Sequence, residues 1–594
     1  MTKMTNAETK TCQSCKNSFV VEPEDFQFYA KINVPPPSWC PECRMIRRQI
    51  FRNERVLYRR NCALCGKGTI TMYAPEKPFT VYCNECYQSD KWDALSYGKD
   101  YDFSKPFFEQ FKELMLKTPR RSLYIDFATN SDYSNWAVYL NNSYLVFGGH
   151  HYENCSYCAN DFYLNDCVDV DFSQRSESCF HSIHVRRCAR VHFSLYSEDC
   201  MDSWFLFGCK NCVHCVGCTN LRNKSYCIYN EQYSKEEYEQ KLKELRLTTY
   251  SGIQNVSAEF SKHSLDFPRK HAWVRNVVNS TGDNLDQTKN CTYLFHATED
   301  EDCRYSFFVP TGAKDSYDID HVGLGVEMAY ELHSAFGNSR VVGGNRVYWS
   351  HDVYYSDDCY NSANLFGCIG VRKKEYCILN KKYPKEQYEV LVSKIIDHMN
   401  ADPFVDKQER RYAFGEFFPP ALSPFVYNET VAQEYFPLSE DDARRAGFGW
   451  RTPDAKAYVI SRKAGDLPDA ISDVPDNIIR ETIGCAHEGK CNEQCTTAFK
   501  IIPDELRFYK KSGLPLPRLC SNCRHAERIK LANPTHLSHG KCRCAGAQSL
   551  NGAFKNTAQH FHGLDQCPNE FETPFNSKRP EIVYCESCYN AEVA

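Results

Sequence analysis

The 594-residue chain lacks the features that define several large classes of protein. It begins MTKMTNAETK, without the apolar core of a signal peptide, and no later stretch approaches the roughly 18 consecutive apolar residues of a membrane helix. Its formal net charge of −5 gives no global attraction to nucleic acid, so such binding would need a local patch. These absences predict a cytoplasmic protein without a membrane partner.

Common catalytic motifs are missing too. The sequence contains no GxxxxGK[ST] loop, no GxSxG elbow and no HExxH, and Gly323-x-Gly325 lacks the third glycine of a dinucleotide site. Asp166, Asp169 and Asp171 would suit a glycan-cleaving pair of carboxylates in a groove, although exposed turn aspartates are the simpler interpretation. We therefore predict no catalytic residue and a non-enzymatic protein.

Cysteine, in contrast, is abundant, with 34 residues. Outside a secretory context, thiols paired at short fixed spacing indicate metal ligands rather than a disulfide framework. Two Cys-x2-Cys knuckles complete a closed tetrahedral site, and zinc is the metal that such sites hold. The rival interpretation is a dithiol redox pair.

The cysteine modules are duplicated between the two ends of the chain. KNSFVVEPEDFQFYAKINVPPPSWCPEC near the start matches TTAFKIIPDELRFYKKSGLPLPRLCSNC near the end, and VYCNECY matches VYCESCY. We predict zinc modules at 1–60, 61–100, 485–532 and 533–594. About four zinc ions per chain are expected, and the predicted ligands are Cys12, Cys15, Cys40 and Cys43; Cys62, Cys65, Cys83 and Cys86; Cys491, Cys495, Cys520 and Cys523; and His562, Cys567, Cys585 and Cys588.

The last two modules leave alternatives open. Cys485 and His487 could compete as ligands in the third module. In the fourth, Leu564 stands where the second has Cys62, and His560, Cys542 and Cys544 are the other donors near His562. His539 with Cys542 and Cys544 could form part of another site.

The middle of the chain is duplicated as well. YSEDCMDSWFLFGC at 196–209 matches YSDDCYNSANLFGC at 355–368, and after these segments the second copy lacks nine residues. Cysteines of the first copy recur at steps of 12 or 9. Their sum predicts a parallel β-solenoid with a period of about 20 residues. We expect β-solenoids at 120–232 and 270–380, capping helices at 233–250 and 381–400, and a Pro- and aromatic-rich connector at 401–480.

The predicted fold is therefore mainly β and multidomain. It comprises two short parallel β-solenoid, or β-helix-like, domains, each capped by a helix, with pairs of zinc-ribbon or treble-clef-like modules at both ends. Cys209-x2-Cys212-x2-Cys215-x2-Cys218 resembles an iron–sulfur run without matching it, and stacked buried thiols are the simpler interpretation.

One basic segment could bind nucleic acid. RMIRRQIFRNERVLYRR places arginines on one face of a helix, where they could neutralise successive phosphates, although a solvated helix face would look the same. The candidate residues are Arg44, Arg47, Arg48, Arg52, Arg55 and Arg59.

The segments RNERVLY, YAPEKPFTVYCNECY, LRNKSYCIYN and NETVAQEYFPL resemble an uncharacterised family of zinc-ribbon proteins from candidate-phylum bacteria. The resemblance covers nearly the whole chain and implies zinc-ribbon domains at its ends, without an activity. Some relatives bear a CaiB/BaiF CoA-transferase label, which would imply a Rossmann-like fold with a catalytic Asp. Nothing in these residues supports that label.

Together these features predict a zinc-binding protein that engages RNA, DNA or a ribonucleoprotein. The first alternative is a protein-binding scaffold that uses the solenoid surfaces. The second is an enzyme with its active site in a solenoid groove.

Overall fold

A computed structural model describes residues 6–452 and 458–593. The chain forms two compact units, and each unit combines segments that are distant in sequence. Unit 1 comprises Met1–Leu123 with Ala272–Arg451, and unit 2 comprises Tyr124–His271 with Thr452–Ala594. Each cysteine-rich end therefore folds with the central copy farther from it in sequence. Among the described residues, no helix is long and apolar enough to cross a membrane.

Unit 2 is built around a sheet of mostly parallel strands, which we call the first array. Neighbouring parallel strands pair in register at a regular offset of twelve, as in Ala189↔Met201 and Val213↔Ser225. The repeat is therefore shorter than the predicted period of about 20 residues. The strands are Ile125–Thr129, Ala137–Asn141, Phe147–Glu153, Ala159–Asn165, Val168–Asp171, Gln174–Glu177, Phe180–Ile183, Ala189–His192, Met201–Trp204, Val213–Val216, Ser225–Ile228 and the antiparallel Glu231–Gln232.

A shorter period of three residues lies inside this repeat. All members of the array's buried cluster, from Ala137 to Cys227, are separated by multiples of three residues. Every third residue from Phe127 to Tyr229, in a different register, has a positive φ. The backbone thus turns at regular intervals, and the interior is filled mainly by cysteine and valine side chains. The cysteine steps of 9 and 12 are multiples of this period.

Interior serines and cysteines bond to the backbone in the same way. Ser173 Oγ donates to the carbonyl of Asp171 at 3.0 Å and accepts from the N–H of Val185 at 3.1 Å. Cys179 Sγ donates to the carbonyl of Glu177 at 3.4 Å. Because buried polar backbone groups need partners, small side chains with a donor are favoured at these positions.

Unit 1 contains the second array, which has the same architecture. Most neighbouring strands of this array are again offset by twelve residues. At Arg304↔Tyr317 the offset is thirteen. The nine residues missing from this copy are a multiple of three, so their loss preserves the interior register. The strands are Val274–Arg275, Gly282–Asp286, Thr292–Thr298, Arg304–Val309, Ala313–Lys314, Tyr317–Gly323, Val326–Phe336, Ser339–Tyr348, His351–Tyr354, Asp357–Tyr360, Ala363–Phe366, Glu375–Ile378 and Lys381–Lys382.

A helix follows each array, as the sequence predicts. The first spans Lys235–Leu245 and begins with a capping box in which Ser234 and Glu237 bond reciprocally. The corresponding helix in unit 1 spans Lys385–Ala401 and buries Tyr388 and Ile395. A second helix, Tyr250–His263, was not predicted.

The cysteine modules consist of short hairpins and helices. In unit 1 the strands are Glu8–Thr11, Ser18–Val21, Tyr58–Asn61, Gly68–Thr71, Val81–Tyr82 and Arg120–Arg121, and the helices are Pro23–Lys31, Pro41–Gln49, Asn84–Gln88 and Phe107–Lys117. In unit 2 the strands are Arg269–Lys270, Ile483–Gly484, Ala498–Phe499, Ser538–Lys541, Glu570–Thr573 and Val583–Tyr584, and the helices are Pro503–Ser512, Ser521–Leu531 and Glu586–Val593.

The predicted connector at 401–480 is divided between the units near residue 451. Its first part contains the strands Phe404–Val405 and Arg411–Tyr412 and the helices Val431–Tyr435 and Glu440–Arg445. In unit 1 it packs on the first module, where the rings of Phe417 and Phe51 lie 5.5 Å apart. Residues 453–457 of the connector lie outside the described residues.

Candidate metal centres

Four groups of four cysteines converge, one in each module. The groups are Cys12, Cys15, Cys40 and Cys43 (site 1); Cys62, Cys65, Cys83 and Cys86 (site 2); Cys485, Cys495, Cys520 and Cys523 (site 3); and Cys542, Cys567, Cys585 and Cys588 (site 4). Within each group the sulfur atoms lie within 4.8 Å of one another. Each group can hold a metal ion.

The backbone arranges all four groups identically. In each, the N–H of the first cysteine donates to the carbonyl two residues beyond the second cysteine: Cys12 to Asn17, Cys62 to Lys67, Cys485 to Thr497 and Cys542 to Asn569, at 2.8–3.0 Å. The N–H of the third cysteine donates to the sulfur of the first, at 3.3, 3.3, 3.3 and 3.2 Å in sites 1 to 4. Such bonds stabilise a thiolate in each site.

The third and fourth cysteines belong to a helix N-terminus. Cys40, Cys83 and Cys520 precede the first residue of their helices, and Cys585 directly precedes Glu586–Val593. The positive end of the helix dipole there favours negative charge. Cys15 and Cys40 are 3.8 Å apart, as are Cys567 and Cys585. A tetrahedron with metal–sulfur bonds of about 2.3 Å has edges of about 3.8 Å.

In site 3 the structure corrects one predicted ligand. Cys485, and not Cys491, occupies the position equivalent to Cys12, because it alone reproduces both backbone bonds. Cys491 Sγ lies 3.6 Å from Cys523 Sγ but is outside the four-cysteine group. The loop between Cys485 and Cys495 is longer than a standard knuckle, so spacing alone favoured the nearer cysteine.

Site 4 requires a similar correction. Cys542, and not His562, completes the group, and the strand Ser538–Lys541 leads into it as Tyr58–Asn61 leads into Cys62. Residues 543–566 are inserted between its first two cysteines. The strand pairing shows the equivalence of the two sites, because Lys541↔Glu570 matches Asn61↔Gly68.

In each of the four groups the pKa of one thiol is lowered, at Cys12, Cys62, Cys520 and Cys585. Burial opposes ionisation of Cys62, but the backbone N–H groups of Cys83 and Cys65 hold its pKa at about 6. The side-chain bond from Cys542 lowers the pKa of Cys585 to about 4. These two thiols are therefore held closer to the thiolate form that metals bind.

The arginine-rich segment does not form an exposed face. Its helix is Pro41–Gln49, here called docking helix 1, and Arg44, Arg47, Arg48 and Arg52 are at most 4% exposed. The prediction of a nucleic-acid surface is wrong for these four residues because unit 1 buries them. Arg55 is half-buried, and Arg59 is exposed, but both lie beyond the helix.

Docking helix 1 inserts its arginines into the second array. Arg48 donates to Asp320 at 2.9 Å, Asp318 at 2.9 Å and Glu331 at 3.1 Å. Arg44 donates to Asp318 at 2.8 Å. Burial raises the pKa of Asp320 to about 7 despite the opposing effect of Arg48.

Arg47 and Arg52 make further contacts in unit 1. Arg47 donates to Glu416 at 2.8 Å and contacts Glu331, and Arg52 donates to Ser334 at 2.8 Å. The arginines thus join the first module to both the array and the connector.

Unit 2 repeats this cluster through docking helix 2, Ser521–Leu531. Arg524 donates to Asp169 at 2.7 Å, and Arg528 donates to Asp169 at 2.8 Å and Asp171 at 2.5 Å. Asp169 and Asp171 are fully buried, and Asp166 pairs with Lys511. Asp169 and Asp171 therefore neither line an open groove nor are exposed turn residues.

The cysteines from Cys209 to Cys218 lie in the interior of the first array. Cys209 Sγ is 3.4 Å from the carbonyl of Cys218, and Cys212 Sγ is 3.4 Å from that of Lys210. The four cysteines are thus buried among the side chains of the array interior, next to backbone carbonyls.

The comparisons with known proteins do not assign a class to this chain. No protein-family model matches it, and no curated protein matches it. Among solved structures, the chain is similar at 8% identity to a protein of Desulfovibrio desulfuricans G20 that is described as an acetyltransferase; the match covers 45% of this chain and 83% of that one. Its TM-score of 0.09 carries no argument about fold or function. The resemblance to a zinc-ribbon family stays a prediction.

Proposed function

We propose that the protein is a non-enzymatic scaffold, stabilised by zinc, that presents β-solenoid surfaces to a protein partner. The observation that carries this proposal is the burial of Arg48 and Arg528 against carboxylates of the arrays. A cysteine module that docks in this way is an integral part of its unit. Its metal site then serves the stability of the array.

Zinc is the metal that the donor sets favour. Four thiolates in a tetrahedron form a closed structural site, without a coordination position for water or substrate. Such zinc sites contribute directly to folding. Sites 1 to 4 would therefore hold four zinc ions with structural roles.

The arrays suit a scaffold because their surfaces are long and regular. Parallel strands at a regular offset favour solenoid coils that stack equivalent side chains. Helices Lys235–Leu245 and Lys385–Ala401 pack near the last parallel strands, Ser225–Ile228 and Glu375–Ile378. We infer that they cover the ends of two β-solenoids, where edges would otherwise be exposed.

One row of the first array is a candidate contact surface. Phe127, Tyr139, His151 and Tyr163 recur at the pairing offset of the strands, and neighbouring rings stack with centroids 4.9, 4.6 and 4.6 Å apart. Phe127 is 72% exposed, and the two tyrosines are about half exposed. Because aromatic side chains are enriched in protein interfaces, this row favours a protein partner.

Nucleic-acid binding through docking helix 1 is not part of this proposal. A guanidinium that is buried against carboxylates cannot also neutralise a phosphate. The pairing of Asp169 and Asp171 with Arg528 likewise removes the carboxylates that favoured a groove enzyme.

Removal of zinc tests the structural role. We expect a strong chelator to extract zinc and to abolish the cooperative unfolding of both units, measured by circular dichroism and limited proteolysis. Cys40→Ser should lose one zinc and destabilise unit 1 alone. Apoprotein with an unchanged unfolding midpoint would contradict the proposal.

The partner surface requires a separate test. A partner protein that this chain captures at 0.5 M salt should bind it again after the partner has been purified. The double variant Tyr139→Ser with Tyr163→Ser should weaken that binding at least tenfold. Arg59→Ala is the matched control and should leave it unchanged. Salt-sensitive binding of RNA or DNA that Arg59→Ala abolishes would favour the nucleic-acid hypothesis instead.

A further inference from the structure

Module 4 contains a second set of metal ligands beside site 4. Ligand atoms of Cys544, His560, His562 and Cys588 all lie within 4.8 Å of one another. Cys588 also belongs to site 4, whereas the other three residues come from the inserted segment 543–566. Module 2 has only Ala63 and Leu64 at the equivalent place.

His560 is oriented like a metal ligand. Its side chain is 1% exposed, and Nε2 lies 2.8 Å from a carboxylate oxygen of the buried Glu592. If Nε2–H donates to this carboxylate, the lone pair of Nδ1 is free to bind a metal. Among the described residues, Nδ1 has no hydrogen-bond partner. A carboxylate behind a histidine is the common outer contact of metal-bound imidazole.

His562 shows a complementary arrangement. Its Nδ1 lies 2.7 Å from the carbonyl of Asp565, which can only accept, so Nδ1 carries the proton. Nε2 then presents a lone pair 3.3 Å from Cys588 Sγ. Nitrogen and sulfur ligands of one zinc ion are expected to lie about 3.6 Å apart, given bonds of about 2.1 and 2.3 Å.

The remaining ligand has support of its own. Cys544 is fully buried, and the side-chain amide of Asn556 donates to its sulfur at 3.2 Å. Asn569 makes the same bond to Cys585 of site 4 at 3.3 Å. Amide donors near sulfur stabilise thiolates rather than neutral thiols.

We propose that module 4 binds two metal ions, with the Cys588 thiolate as a bridge between them. This inference rests on the proposed zinc at site 4. One zinc with four thiolates has a formal charge of about −2, whereas two zinc ions with five thiolates and two neutral imidazoles have about −1. The second ion thus reduces the buried negative charge. It also explains how segment 543–566 is ordered without a helix or strand of its own.

Native mass spectrometry of the full chain tests the proposal. We expect five zinc ions in the natural protein and four after His560→Ala with His562→Ala, while His539→Ala, a control on the neighbouring hairpin, keeps five. Four ions in both the natural protein and the double variant would overturn this inference and leave the proposed function intact. Five ions in the double variant would place the extra ion elsewhere and would also overturn it. Fewer than four ions in the natural protein would contradict the proposed function itself.

Cadmium substitution provides a second readout that does not depend on a variant. With 113Cd in all sites, a bridging thiolate transmits scalar coupling between two metal nuclei. We expect one coupled pair of cadmium resonances and three uncoupled ones. Five uncoupled resonances would contradict the bridge at Cys588.

Discussion

Arg528 Nη1 lies 2.8 Å from Asp169 Oδ1, and the same contact joins Arg48 to Asp318 at 2.9 Å in the other unit. Each arginine is five residues beyond the last cysteine of its site. The ring of Tyr157 lies under Arg524, as the ring of Tyr305 lies under Arg44. The duplication thus preserves two arginines, their aspartate partners and the cysteine group at the start of the helix.

Loss of Arg48 should destabilise unit 1 strongly. Arg48→Met removes the arginine that contacts Asp320 and one of the two arginines that contact each of Asp318 and Glu331, and breaking a buried ion pair costs about 3–5 kcal/mol. Urea unfolding should show this loss in the unit 1 transition. Arg59→Met, an exposed control, should change stability by less than about 0.5 kcal/mol. Equal midpoints for the two variants would refute the docking role.

The ligand assignment in site 3 predicts opposite results for two nearby cysteines. Cys485→Ser removes a proposed zinc ligand, the sulfur atom that accepts a hydrogen bond from the N–H of Cys520. The protein should therefore lose one zinc. Cys491→Ser should retain the full count, because this residue is outside the four-cysteine group. Metal analysis of both purified variants distinguishes the two assignments. Loss of one zinc from Cys491→Ser but not from Cys485→Ser would identify Cys491 as the ligand.

The first array should lose stability in acid. Burial lowers the pKa of His192 to about 3, against about 6.5 in an unfolded chain. Below about pH 6.5 the unfolded state therefore binds a proton at His192, whereas the folded state does not. The free energy of unfolding decreases as the pH falls through this range. Between pH 7 and pH 5 this one group accounts for about 2 kcal/mol.

His192→Leu tests this dependence. Between pH 7 and pH 5 the free energy of unfolding of the natural protein should fall by about 2 kcal/mol more than that of the variant. Protonation of the zinc ligands affects both proteins equally and cancels in the comparison. Parallel pH profiles would show that His192 does not contribute.

Cys212 should tolerate serine. The hydroxyl can donate to the carbonyl of Lys210, as Ser173 donates to Asp171. Cys212→Ser should therefore keep its zinc count and lose less than about 1.5 kcal/mol of stability. Iron in the natural protein that disappears in the variant would instead identify a cluster at Cys209 to Cys218.

The sequence predicted the cysteine clusters and the parallel strands because both depend on local spacing. Cys12 and Cys15 lie on one tight turn, and so do Cys62 and Cys65, so their sites could be assigned in full. Cys485 and Cys542 are separated from their partners by long loops, and spacing carries little information across such loops.

Long-range packing was also beyond the sequence. The spacing of Arg44, Arg48 and Arg52 predicts a charged helix face, but it does not show whether that face is exposed to solvent or buried in a cluster. Only the positions of Asp318 and Asp320, far along the chain, distinguish the two. The sequence did not reveal the twelve-residue repeat of the arrays. The cysteines are separated by multiples of three residues, but these multiples vary, so their spacing does not show the offset between strands.

The metal content of the purified chain tests the central claim most directly. Mass spectrometry under native and denaturing conditions should show at least four zinc ions that leave on unfolding, with no stoichiometric iron. Fewer than four zinc ions, or iron atoms in place of zinc, would contradict four closed zinc sites.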